Sequence, residues 1–583
     1  GHRTRVASID SNGIDSNGID SGGIGEAGAR VGMAGKVLGW FRAGVPLAFV
    51  IAIACGIFLP IYTDEIGWRF QERAGFDGID KLFAEQCGPN TLAAPPFFMW
   101  PARWYSAVFN GLFADPLYVR LSGILYALAF GGLLWALIRR VGSDAAGGAR
   151  LGIVGFGLLC LGVTPLLLVL SRPEQPIILA AAGAVLIALS GERARGEAGT
   201  TGGAAWRAPL AILALGCVGL SYHVKGLFLA PLLLACLCFA GRGAATVRAR
   251  LACGGALVAL TGIAARYWVH RLGCPDDPVL NRAFDSNNLG SELAEDGANW
   301  REVGQVFGEM FGNLNLFEYV DLAAPRPYPL SQWLPWRQIG QAQYEVWYWT
   351  LCALWGLALL AGLVGLLLSA WACWKRRRIA AAPVLSLFLL ATVFGWAATQ
   401  SIRNFYEAGF VLPLLMLAIV LALASAGADK WTRRGLNVVA TVIGGAALVS
   451  PVLVAGIWGA SLLRSSARHG YIAEQRVSVS AFGYRALAGE LRETARMCHM
   501  PEPAKARAVM VDDLTYFPFM RSHLPQHQLG VVGLWKGAIA DPVAYLRGRG
   551  SDGIIVGCHV LPPELRARAK ANGKFCCLAP PDW

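Results

Sequence analysis

From Phe41 to Trp458 this chain repeats one pattern: apolar runs of close to the length that carries a helix across a bilayer, about 20 residues, separated at every second interval by a short basic loop. The runs lie near Phe41–Tyr62, Leu121–Leu137, Leu151–Leu170, Pro176–Leu189, Ala208–Tyr222, Gly226–Ala240, Leu251–Trp268, Val346–Ala370, Ala381–Ala398, Gly409–Ala426 and Asn437–Trp458, about eleven in all. Several are short and recruit flanking residues to span. Of the 583 residues, 55% are hydrophobic and 15% charged, against about 25% charged in ordinary soluble domains. A soluble protein and a mostly disordered chain are both excluded. The expected fold class is a polytopic α-helical membrane protein.

The formal net charge of +13 reports topology rather than nucleic-acid binding, because the Lys and Arg residues sit in the short loops. Arg139, Arg140 and Arg150 follow the second run, and Arg193, Arg195 and Arg207 the fourth. Arg242, Arg248 and Arg250 follow the sixth, Lys375–Arg378 the eighth, and Lys430, Arg433 and Arg434 the tenth. Basic loops face the cytoplasm. The N-terminus is therefore expected inside and the last segment outside, as in a multi-pass protein of a bacterial inner membrane.

Three domains are expected. Residues 1–36, with the imperfect repeat SIDSNGIDSNGIDSGGIG, read as disordered. Residues 37–460 form the membrane domain, with external loops at 63–120 and 269–345; the second mixes aromatics with short amphipathic stretches that suit a membrane surface. Residues 461–583 alternate helical and strand patterns: YRALAGELRETAR, DPVAYLRGR and PPELRARAKANG as helices, AVMVDD, LGVVGL and DGIIVG as strands. A small extracytoplasmic α/β domain is expected. Of the fourteen cysteines, eight fall in or beside apolar runs and read as packing residues. Cys87, Cys274, Cys498, Cys558, Cys576 and Cys577 fall outside, where disulfides persist, and Cys558 is expected to pair with Cys576 or Cys577.

Four polar sites cluster at the outer ends of the spans. IYTDEIGWRF places Asp64 and Glu65 just after the first run, either as an interfacial acidic cap or as a base and metal ligand. SRPEQP places Arg172 and Glu174 in a turn stiffened by two prolines. It reads as a closed Arg–Glu pair or as a second carboxylate facing the first. SYHVKGLFLAP places Lys225 among apolar neighbours with His223 two residues away. That lysine either snorkels to the interface or meets a lipid-linked phosphate as a point charge. QSIRNFYEAGFVLPLL brings Arg403, Asn404, Tyr406 and Glu407 together, and the Arg403 fork suits a phosphate. Two acidic and two cationic loops on one membrane face are the charges needed to work on a lipid-linked phosphate donor.

These motifs resemble the GT-C superfamily of integral-membrane glycosyltransferases, which take polyprenyl-phosphate sugars as donors. The lipid A aminoarabinose transferases and protein O-mannosyltransferases are the nearest parallels. TDE resembles the acidic motif of their first external loop, and RPE their second acidic position. HVKG resembles their lysine-glycine motif, and RNFYEAGFVLP their late Arg, Tyr and Pro motif at Arg403, Tyr406 and Pro413. Glu407 stands where that motif has an apolar or aromatic residue. The resemblance spans about residues 40–430 and does not reach the tail.

It implies Asp64 as base with Glu65 beside it, Glu174 as acceptor or metal ligand, and the donor phosphate held by Lys225, Arg403 and Tyr406 with His223 and Arg172 near. A divalent cation, Mg or Mn, held by Asp64 and Glu174 is one option, and metal-free chemistry the other. The expected function is inverting transfer of a sugar from a polyprenyl-phosphate donor to a glycan, lipid or protein acceptor on the outer face. A transporter or flippase of a lipid-linked saccharide is the alternative.

Overall fold

A computed structural model of the protein describes residues 33–59, 61, 65, 115–269 (apart from 143, 194–203 and 242), 299–300, 303–313, 341–399 (apart from 378), 407–426, 430–456, 471–472, 478–479, 482, 484–512 (apart from 504 and 507–508), 515–519 and 541–583 (apart from 549). Asp64, Arg403, Tyr406, Cys87, Cys274 and the LGVVGL segment lie outside the described residues.

The helices of the membrane part are α1 (Met33–Cys55), α2 (Pro116–Val141), α3 (Ala145–Leu159), α4 (Thr164–Leu168), α5 (Glu174–Arg193), α6 (Ala204–Tyr222), α7 (Ala230–Phe239), α8 (Ala244–Val269), α9 (Val303–Asn313), α10 (Gln341–Arg376), α11 (Ala381–Ala398), α12 (Ala408–Ser425) and α13 (Lys430–Val454). Among the described residues, nine helices are long and apolar enough to cross a membrane. Two shorter apolar helices, Ala145–Leu159 and Val224–Phe239, stand where the other two apolar runs were expected. Each run thus carries a helix among the described residues, and α11 begins and ends on the residues where its run does. α12 is apolar all round and buried from Phe410 to Leu423, the pattern of a helix at the centre of a bundle. Leu125, Leu251, Leu360, Leu367, Val438 and Val452 point outward, as lipid-facing side chains do.

The third run does not form one helix. α3 ends at Leu159, and Gly162, with φ of 56°, turns the chain before α4 starts on Thr164–Pro165. The break leaves backbone groups that need partners. Gly162 N–H donates to Ser450 Oγ at 2.8 Å, and the Val169 carbonyl accepts from Arg120 at 2.6 Å. Gly123 of α2 makes room for the segment that follows, since a Cβ there would stand 2.0 Å from Val169 O.

The two ends of the bundle differ. At one end Arg140 donates to Ser190 O at 2.8 Å and Glu192 accepts from Ala381 N at 3.1 Å, tying α2, α5 and α11 beside the basic loops. The other end gathers the starts of α2, α5 and α12 and the 3-10 turn Val224–Leu229 that leads into α7. Beyond α8, α9 is amphipathic and lays Val306, Phe307, Met310 and Phe311 against Trp355 and Phe394.

The tail forms α14 (Tyr484–Met497), β1 (Val509–Val511), α15 (Pro542–Gly548), β2 (Gly553–Gly557), α16 (Pro563–Arg568), β3 (Lys570–Asn572) and β4 (Phe575–Leu578). The sheet order is β1-β2-β4-β3, with β1 and β2 parallel and the other neighbours antiparallel. PPELRARAKANG was expected to be one helix. It is helical only to Arg568 and then turns into β3, which pairs with β4 across Gly573 at φ 59°. Asn572 pairs with Phe575, so Gly573-Lys574 is the two-residue loop with glycine at the first position where φ must be positive, and it overrides the helix formers before it.

Cys576 and Cys577 are neighbours on β4 and face opposite sides of the sheet. Cys577 bonds Cys498 on the α14 side, and Cys576 bonds Cys558 on the other. The eight span cysteines are free; Cys160, Cys236 and Cys253 are buried, whereas Cys55 and Cys238 face outward rather than packing inside.

The tail rests on the chain just after α1 and on the start of α2. Ile61 and Val119 are buried in the same apolar cluster as Leu487, Leu491, Phe517 and Phe519, and the Phe58 and Phe482 rings stand 5.7 Å apart. Burial, and then the nearby Asp115 carboxylate, push the Tyr484 hydroxyl well above the usual phenol range, with Arg492 opposing.

Candidate active site

The first polar centre lies beneath the tail. Glu65 follows α1 by ten residues and meets Arg120, which projects from the second turn of α2. Arg120 Nη1 donates to Glu65 Oε1 at 3.0 Å and Nη2 to Oε2 at 2.9 Å. The same guanidinium donates to Leu59 O at 3.3 Å and Val169 O at 2.6 Å. Glu65 Oε1 also accepts from Ser171 N at 2.6 Å. Both side chains are wholly buried. A buried ion pair is tolerable only with this kind of fork geometry and with its remaining donors and acceptors filled. One charge pair thus fastens the acidic loop after α1, the start of α2 and the segment that carries Arg172 and Glu174.

The second centre begins one residue after Ser171. Arg172 forks onto Glu174, with Nε to Oε2 and Nη2 to Oε1 both at 3.1 Å. Lys225 Nζ donates to Glu174 Oε1 at 2.6 Å and stands 2.5 Å from Glu407 Oε2. All four side chains are buried. Two cations, Lys225 and Arg172, thus face two carboxylates, Glu174 and Glu407. Lys225 Nζ is also 5.6 Å from the Phe410 ring centre and 6.0 Å from that of Trp396, a setting that favours an ammonium.

Local structure explains how Lys225 reaches this depth. His223 is extended, and its Nδ1 accepts from Lys225 N at 3.2 Å, capping the 3-10 turn. Gly226 then passes so close to α6 that a Cβ would stand 2.1 Å from Gly219 O. The glycine of HVKG is therefore a packing requirement, and its histidine is a cap. The starts of α5, α12 and the 3-10 turn converge on the cluster, each bringing the positive end of its dipole. An anion is favoured at such a convergence.

Of the residues singled out in the sequence, Glu174, Lys225 and Arg172 come together, with His223 behind Lys225. Glu65 stands at the neighbouring centre, joined to Arg172 through Ser171. Asp64, Arg403 and Tyr406 lie outside the described residues. Sequence reasoning did not single out Arg120, although a lone charge inside the apolar stretch PLYVRLSGIL is a signal for a functional partner. Glu407 was grouped with Arg403, Asn404 and Tyr406 and marked as a departure from a motif, without a role of its own.

For a divalent ion the donor set at Glu174 is a poor fit, since both oxygens already face cations. Among the described residues no three His, Cys, Asp or Glu side chains gather as a metal site. Asp64, the other carboxylate named for a metal, is not described.

No protein-family model matches the sequence, and no curated protein matches it. Solved structures do. The chain is similar to ArnT from Cupriavidus metallidurans bound to undecaprenyl phosphate, at 13% identity and a TM-score of 0.48, covering 93% of this chain and 98% of that one. It is similar to the oligosaccharyltransferase AglB from Archaeoglobus fulgidus in complex with an inhibitory peptide and a dolichol-phosphate, at 11% identity and a TM-score of 0.41, covering 89% and 70%. The same Archaeoglobus enzyme in complex with Zn and sulfate gives 13% identity and a TM-score of 0.42, covering 88% and 68%.

Proposed function

We propose that the protein is an inverting glycosyltransferase of a bacterial inner membrane, taking a sugar from a polyprenyl-phosphate donor to a glycan, lipid or protein acceptor on the outer face. The observation that carries this reading is the meeting of Lys225, Arg172, Glu174 and Glu407 at one end of the bundle, one residue from the Ser171 contact to Glu65. Cations at the edge of the hydrocarbon suit a phosphate whose lipid tail stays in the bilayer. The tail lies at this same end, and its two disulfides suit an oxidising compartment. The N-terminus and the basic loops are then cytoplasmic, and residues 461–583 periplasmic.

In this reading Asp64 takes the proton of an acceptor hydroxyl. The freed oxygen attacks the anomeric carbon from the side opposite the phosphate. The bond from that carbon to the phosphate oxygen breaks, and its electron pair leaves on polyprenyl phosphate. Lys225 and Arg403, with Tyr406, hold the phosphate. Glu65 is committed to Arg120 and serves to aim Asp64. Glu174 fixes Lys225 and Arg172 at the mouth of the site. Both Glu174 oxygens already face cations, so no step is drawn through a divalent ion there.

The test is sugar transfer from a synthetic polyprenyl-phosphate sugar by the purified full chain. Asp64→Asn is expected to lower the rate by about 100-fold or more while the melting temperature stays at the wild-type value. Full transfer by that variant overturns the assignment.

A further inference from the structure

We propose that Glu407 is a displaceable counter-ion for Lys225, so that the phosphate of a lipid-linked substrate binds in competition with a resident carboxylate and the spent phosphate is released more readily. The inference rests on the reading of Lys225 as a phosphate ligand and adds a residue that sets how tightly the phosphate is held.

The two carboxylates on Lys225 are not equivalent. Glu174 is fixed by two bonds from Arg172 as well as the one from Lys225. Glu407 meets only Lys225 among the described residues. It is the N-cap residue of α12, yet its side chain makes no capping hydrogen bond. Among the described residues its carboxylate therefore has the ammonium as its ion-pair partner and no backbone N–H to hold it once the ammonium turns elsewhere.

Charge fixes the consequence. With side-chain exposures of 5% for Glu174 and Lys225 and 9% for Glu407, these groups meet in a medium that penalises uncompensated charge. A donor phosphodiester brings one negative charge, and it reaches Lys225 Nζ most readily where one of the two carboxylates on that ammonium gives way. Glu407, the less anchored one, is that carboxylate. The faces of Phe410 and Trp396 keep Lys225 in place while its partner changes. After transfer the leaving group is a phosphate monoester, whose second pKa lies near 6, so it carries more than one negative charge at neutral pH. Glu407 repels this species more strongly than the donor. A chain with an uncharged residue at 407 binds both more tightly and lets go of the product more slowly.

The experiment is titration of the full-length protein in nanodiscs with undecaprenyl phosphate as probe, together with steady-state transfer kinetics. Glu407→Gln is expected to bind the probe about tenfold tighter, the gain that follows when the binding-competent state rises from about a tenth of the population to nearly all of it. Its KM and kcat are both expected to fall, a split that loss of structure does not produce. Glu407→Asp keeps the charge one methylene further away and is expected to fall between Gln and wild type. Lys225→Met is the control on the underlying reading. If it binds the probe as tightly as wild type, the phosphate assignment of Lys225 fails. If Lys225→Met loses binding but the folded Glu407 variants bind no tighter than wild type, the counter-ion role alone fails. Failure of both Glu407 variants to fold also overturns it, because a carboxylate that a ligand displaces cannot be indispensable to the fold.

Discussion

Arg120 and Glu65 face each other in two parallel hydrogen bonds of 2.9 and 3.0 Å, although 55 residues separate them in the chain and neither side chain reaches solvent. The pair sits where α1, α2 and the α4–α5 connection meet. It gives the acidic loop after α1 a fixed anchor one residue from Asp64.

Breaking that pair from one side leaves a buried charge alone. Arg120→Met is expected to cost about 3–5 kcal/mol, read as a fall in detergent melting temperature. Adding Glu65→Leu to the same chain is expected to recover much of the loss, since an apolar pair of similar volume fills the space without a stranded charge. A double variant no better than the single one contradicts the account of the pair as an anchor.

Two glycines are held by backbone approach rather than by flexibility. A Cβ at Gly123 would meet Val169 O at 2.0 Å and one at Gly226 would meet Gly219 O at 2.1 Å, whereas nothing lies within 4 Å of a Cβ at Gly132. Gly123→Ala and Gly226→Ala are expected to lower the melting temperature sharply. Gly132→Ala, in an exposed helix interior, is expected to stabilise by up to about 1 kcal/mol. Equal melting temperatures for all three variants contradict the close crossings.

The tail disulfides offer a test of sidedness as well as of stability. Non-reducing peptide maps of protein taken from cells are expected to show Cys498–Cys577 and Cys558–Cys576. Tail thiols found reduced in cells contradict an outward-facing tail. The first bond spans 79 residues and the second 18. Loop-closure entropy therefore makes loss of Cys498–Cys577 the costlier by about 1 kcal/mol. Paired Cys→Ser variants and thermal melts measure the difference.

The spans were legible because long apolar runs punctuated by basic loops admit few alternatives to a helix, as the 18-residue α11 illustrates. The break after Leu159 was not. Cys160-Leu-Gly-Val163 is as apolar as its surroundings, and only the tertiary partners of Gly162 and Val169 make a turn there affordable. In the tail, LRARAKAN reads as helix by propensity, while β3 forms because the Gly573-Lys574 turn brings β4 alongside to partner its backbone. Lys225, Glu174 and Arg172 were readable as rare charges at span ends. That Lys225 is shared between Glu174 and Glu407 was not, because it depends on how α5, α12 and the 3-10 turn pack.

The measurement that bears most directly on the central claim is a cryo-EM map of the full chain with added polyprenyl phosphate. A phosphate oxygen within about 2.7–2.9 Å of Lys225 Nζ, with Glu174 still on Arg172, is the result expected. A head group bound at the basic end of the bundle, or anywhere away from the Lys225 cluster, contradicts it.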